Sequence, residues 1–138
     1  MRTDRKVAVI TGASRGIGAA LVQAYRDRNY HVVATARSLE PSSDDEVLTV
    51  RGDIADRKTA ERAISQGVAR FGRIDTLVNN AGIFIAKPFT QYTEADYAAI
   101  LGVNLAGFFH ITQLAIAEME KQGSGHIRQQ SRTPVRVA

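Results

Sequence analysis

Residues Thr11 to Gly18 read TGASRGIG. The stretch directly follows an apolar, β-branched run and opens a segment of helical pattern. Gly12 permits a tight turn where a side chain would clash. Gly16 lets a phosphate approach the backbone at the helix start, and Gly18 lets the helix pack closely on the strand. Unpaired N–H groups and the positive end of the helix dipole would then face a pyrophosphate. Thr11, Gly12, Ser14, Arg15, Gly16, Ile17 and Gly18 are therefore candidate cofactor-binding residues. A glycine-rich turn without a ligand is the plain alternative. The strand before and the helix after favour a dinucleotide.

Such a loop works only inside a particular scaffold. Apolar runs at Lys6 to Thr11, His31 to Ala36, Glu46 to Val50 and Ile74 to Asn80 suit parallel strands buried on both faces. Between the last two, Ala60, Ala63, Ile64, Gly67, Val68 and Phe71 recur at helical spacing. Thr93 and Asp96 form a possible capping pair. Leu101, Leu105, Phe108, Thr112, Ala115 and Met119 then form a stripe down a long helix, with Gly123 as its stop. The order β-α-β-β-α-β-α, followed by the beginning of a strand, predicts an α/β fold with a parallel sheet.

Further residues with chemical potential sit where these elements end. Asp53 and Ile54 follow the third strand, Asn79 to Gly82 follow the fourth, and Asn104 lies in the long helix. Each has a bland reading. Asp53 could cap the helix that begins near Asp56, Asn79 and Asn80 could be turn residues, and Asn104 could be a solvated helix residue. His31, His110 and His126 show no metal-ligand spacing, so no metal site is expected.

Taken together, Thr-Gly-x-x-x-Gly-x-Gly at 11–18, GDI at 52–54, NNAG at 79–82 and VN at 103–104 resemble the short-chain dehydrogenase/reductase family, from Lys6 to about Ile127. The resemblance implies a Rossmann-type doubly wound sheet of strand order 3-2-1-4 with a stub of a fifth strand. It places Asp53 at the adenine, and Asn80, Ala81 and Gly82 along the cofactor cleft. Asn104 is then the helix asparagine that holds a water in the proton relay, the one catalytic position of the family found here. It also implies hydride transfer between a nicotinamide cofactor and a carbonyl or alcohol of a small-molecule substrate. NAD-preferring members carry an acidic residue where this chain has Ala36. The neutral Ala36, the following Arg37 and the loop cation Arg15 imply NADP(H) over NAD(H). Family members tend to be homo-oligomers, and the long helix helps build the dimer.

The family also uses a Ser at the end of the fifth strand, a Tyr, and a Lys four residues after that Tyr, which tunes it for acid–base work. The four tyrosines here, Tyr25, Tyr30, Tyr92 and Tyr97, are followed at that distance by Asn29, Ala34, Asp96 and Leu101. All four precede the fifth strand. Ser131 sits in a stretch without strand pattern and is not assigned the serine role. A complete family domain has about 250 residues, against 138 here.

The last residues bear on that shortfall. After His126 and Ile127 comes RQQSRTPVRVA, polar and Arg-rich, where a core strand should continue. The expectation is a partial NAD(P)-binding domain over 1–127 and a non-native-looking basic tail over 128–138. That pattern suits a frame change or truncation. The alternatives are a genuine half-length protein with a functional tail, and an inactive nucleotide-binding or regulatory module that pairs with a full-length relative. Net charge is +4, but up to Ile127 there are 15 Lys and Arg against 14 acidic residues. The basicity thus belongs to the tail, a weak basis for nucleic-acid binding. There is no cysteine. No uninterrupted apolar run reaches membrane-spanning length. A cytoplasmic protein without a membrane partner is the resulting expectation.

Overall fold

A computed structural model describes residues 5–83 and 85–129. Five parallel strands form one sheet: β1 (Val7–Thr11), β2 (His31–Ala36), β3 (Val47–Arg51), β4 (Thr76–Asn79) and β5 (His126–Gln129). Their order is β3-β2-β1-β4-β5, the order implied by the resemblance. Strand residues alternate between the two faces, and both faces are covered. Val9, Val33, Val50 and Leu77 point into a core completed by helix α2 (Arg57–Phe71) and helix α4 (Phe108–Gln122). Ile10, Val32, Ala34, Val47 and Val78 point the other way, towards Leu21, Val22 and Tyr25 of helix α1 (Gly16–Asp27). Two cores separated by one sheet define a doubly wound α/β domain.

The helices end as their sequences direct. Asp56 caps α2 by accepting from the Lys58 N–H, and Gly72 closes it in the left-handed region. Thr93 and Asp96 make the full reciprocal capping box of helix α3 (Glu94–Leu101). Gly123, at φ 78°, ends α4.

The expected long helix differs from its prediction in one respect. Between α3 and α4 lies a π-helical segment, Gly102–Gly107. A π turn adds a residue to the helical repeat and rotates everything beyond it. The predicted stripe therefore splits. Ala115 and Met119 are buried with Ile111, whereas Leu101 and Leu105 are exposed. Glu94–Gln122 nonetheless forms one helical stretch of 29 residues, long and apolar enough by length and composition to cross a membrane. The expectation of no such segment rested on unbroken apolar runs, and isolated polar residues interrupt this one. Its Ile111, Ala115 and Met119 belong to the sheet core.

At the far edge, β5 pairs Arg128 with Val78 and Gln129 with Asn79. Strand pairing thus extends two residues past Ile127, into residues assigned by sequence to the tail. The rest of that tail, with Ser131, lies outside the described residues.

Candidate cofactor-binding site

β1 lies between β2 and β4, whose chain connections leave in opposite directions, so a crevice opens beyond its C-terminal end. Gly12 and Gly16 have φ of 64° and 59°, in the region that favours glycine. A Cβ on Gly12 would sit 2.9 Å from Cα of Ala81. One on Gly18 would sit 1.8 Å from the Gly12 carbonyl oxygen, so at Gly18 the helix meets the loop backbone. Around Gly16 no atom lies within 4 Å of such a Cβ, which leaves open space at the helix start.

The loop after β4 is tied to this turn. The Thr11 hydroxyl accepts from the backbone N–H groups of Asn80 (3.1 Å) and Ala81 (2.9 Å). Asn80 Nδ2 donates to the Gly12 carbonyl at 3.1 Å. Asn79 Nδ2 donates to the Thr112 hydroxyl at 2.9 Å, fixing the same loop to α4. Asn79 and Asn80 are thus buried tie points rather than free turn residues.

A cleft of about 730 Å³ results. Of the predicted residues, Gly12, Ser14, Arg15, Arg37, Asp53, Ile54, Asn80, Ala81 and Gly82 line it. Thr11 and Gly18 lie buried beneath its floor, and Gly16 and Ile17 are exposed at its edge without lining it. Sequence reasoning did not place Thr35, Ser38, Gly52, Ile83 and Val103 in the wall. Ser38, Gly52, Ile83 and Val103 directly adjoin predicted residues, and this is the available signal. Thr35, inside a buried strand, carries none.

Asp53 does not cap α2, because Asp56 does. One Asp53 oxygen accepts the Ala55 N–H at 3.0 Å, and the side chain is exposed in the cleft. Asn104 is not a freely solvated helix residue either. Its Oδ1 accepts from the Ile83 N–H at 2.9 Å and its Nδ2 donates to the Ile83 carbonyl at 3.0 Å. That reciprocal pair joins the π segment to the cleft wall beside Gly82 and braces it.

The electrostatics favour an anion. Arg15 precedes α1 with extended backbone and makes no side-chain cap, and the first turn carries no acidic residue. The first N–H groups of α1 therefore have no side-chain partner. Arg15 and Arg37 are both exposed, and neither forms an ion pair among the described residues. Buried Oδ1 of Asn80 and Oγ1 of Thr35, both on lining residues, have no hydrogen-bond partner among the described residues. Polar atoms so placed cost free energy until something satisfies them.

This fold and cleft define an α/β protein of the Rossmann type. The family model described as short chain dehydrogenase matches residues 6–130, and the chain belongs to that family. It is 35% identical over 137 residues to the 3-oxoacyl-(acyl-carrier-protein) reductase FabG of Thermotoga maritima, covering 92% of this chain and 55% of FabG. It is 35% identical to the D-threitol dehydrogenase of Mycolicibacterium smegmatis, covering 91% and 52% respectively. A short-chain dehydrogenase structure from Streptomyces avermitilis superposes with a TM-score of 0.84 at 29% identity, over 92% of this chain and 49% of that one. The NADP-bound structure of ElxO gives 0.83 at 28% identity, over 91% and 54%. The chain spans about half the length of the curated relatives it matches. Such relatives are oxidoreductases acting on alcohol or carbonyl groups of small molecules.

Proposed function

We propose that the chain forms the cofactor-binding part of an NADP(H)-dependent oxidoreductase that interconverts a carbonyl and an alcohol on a small molecule. The observation that carries this reading is the cleft corner holding Arg15 and Arg37 beside the neutral Ala36, over an uncapped helix start. When bound, the nicotinamide supplies or accepts the hydride. The chain's residues do the holding. The open N–H groups of α1 take the pyrophosphate, Arg15 and Arg37 take a 2′-phosphate, and Asp53 accepts from the adenine amino group. Asn104 keeps the wall at Ile83 in place. The NADP bound in ElxO supports the choice of cofactor.

None of the four tyrosines has a Lys four residues on. We therefore expect the 138 residues alone to bind cofactor without turnover. The exposed Tyr97, Leu105 and Phe109 of the α3–α4 stretch support self-association through that face.

Calorimetry of the chain with NADPH and NADH tests the cofactor assignment. Tighter binding of NADPH is expected, and equal affinities refute it. A screen of ketones and alcohols with NADPH or NADP tests the inactivity, and robust turnover refutes it.

A further inference from the structure

Two more arginines stand behind Arg37. Arg51 is the last residue of β3, and the β2–β3 register sets it opposite Ala36, on the same face of the parallel ladder. Its Nε donates to the carbonyl oxygen of Arg37 at 3.2 Å. Arg62, one turn into α2, donates from Nη2 to the Arg51 carbonyl at 2.9 Å. The Gly52 N–H donates to the Ala36 carbonyl at 3.0 Å and completes the joint. Gly52 also makes room for this arrangement, since a Cβ there would lie 2.7 Å from Nη2 of Arg62. The carbonyls of Arg37 and Arg51 lie where the sheet ladder ends, and guanidinium groups satisfy both.

All three arginines are exposed, and none forms an ion pair among the described residues. Three exposed cations with no carboxylate in ion-pair contact among the described residues favour a nearby dianion. A free arginine also loses considerable rotamer freedom on gripping a phosphate. Fixing the backbone of Arg37 beforehand limits the ordering required.

We infer that Arg51 is a positioning residue for the 2′-phosphate corner, acting through Arg37, and that Arg62 holds Arg51 in place. This rests on the proposed NADP(H) reading and adds to it the residues that preset the phosphate-binding turn. Arg51 is outside the cleft lining, so its effect is indirect.

The experiment uses two probes that differ only in the 2′-phosphate, adenosine 2′,5′-bisphosphate and 5′-AMP. Both are titrated calorimetrically into the 138-residue chain at fixed ionic strength. Arg51→Met should weaken the bisphosphate about tenfold and leave AMP within about twofold, the scale of one charge-assisted contact. Arg51→Lys keeps the charge but cannot reproduce the Nε geometry, so it should be as weak as Arg51→Met. Arg62→Met, on an exposed helix face, should act in the same direction but less. Far-UV circular dichroism confirms that each variant is folded, and Arg62→Met decides the matter if Arg51→Met is not. Full rescue by Arg51→Lys, equal losses for both probes, or no change in any variant overturns the inference. The underlying reading fails separately, if the unaltered chain shows no preference for the bisphosphate or if Arg37→Ala leaves that preference intact.

Discussion

Three helices of this domain begin in two different ways. α2 and α3 start behind side chains that accept their first N–H groups, Asp56 and Thr93, the latter with Asp96 reciprocating. α1 starts behind Arg15, which caps nothing, and through a loop with two glycines at positive φ. The capped starts serve only the fold. The uncapped start opens onto the cleft, and its N–H groups stay available to a ligand. Local stability is thus forgone at the one helix start where an anion is expected to bind.

The largest test of this contrast separates shape from conformation within the loop. Gly18→Ala puts a Cβ against the Gly12 backbone. It should cost about 3 kcal/mol or more, because neither backbone segment can yield cheaply. Gly16→Ala meets open space and costs only the positive φ, about 1 kcal/mol. Urea unfolding of both variants checks the order, and similar losses would break the distinction.

The next test converts one kind of start into the other. Arg15 has the extended backbone of a cap position. Arg15→Asp should cap α1 and stabilise the fold by about 0.5–1 kcal/mol. It should also weaken NADPH binding at least about tenfold, through a lost cation and a carboxylate at the anion site. Thermal unfolding and calorimetry on the same protein should therefore move in opposite directions. A stabilised variant with unchanged affinity would show that α1 does not face the cofactor.

The same contrast explains what could be read from sequence. The buried strands of the sheet were legible because their apolar runs have no other good environment. The capped starts were legible because Thr93 with Asp96 is a local pattern. The glycine loop was legible because three glycines in eight residues serve few other purposes. The π segment was not, because the residues over Gly102–Gly107 show no local pattern that separates a π turn from an α turn, and its Asn104 is tied to Ile83 outside the helix. The bonds from the loop after β4 to the Thr11 hydroxyl were not legible either. No local pattern announces a contact 70 residues away. Arg51 and Arg62 carry no local signal for the same reason, being brought behind Arg37 by strand register and helix packing.

A smaller effect is expected at the capped starts. Thr93→Ala removes the hydroxyl that accepts the Asp96 N–H at 3.1 Å and should cost about 1 kcal/mol. It should leave NADPH affinity unchanged, since Thr93 is not among the residues that line the cleft. A cofactor effect from this change would mean that the two kinds of helix start are coupled.

The smallest effect concerns acid. The hydrogen bond from Lys87, the Thr93 backbone N–H and the Thr93 side chain all hold the Asp96 carboxyl below its usual 3.8. The folded chain therefore binds this proton less readily than the unfolded chain does. The contribution of Asp96 to stability is fully present above about pH 4 and fades as pH falls through the lowered value. Because the group is at the surface, screening keeps the contribution small, and added salt should reduce it further. Asp96→Asn should flatten this part of the acid limb, measured by urea unfolding between about pH 5 and 2.5. The start of α1 has no acidic residue in its first turn, so Arg15→Lys should leave the same limb unaltered. An acid limb that persists in Asp96→Asn with its full slope would place the responsible carboxylate elsewhere and remove titration from the differences between the capped and open starts.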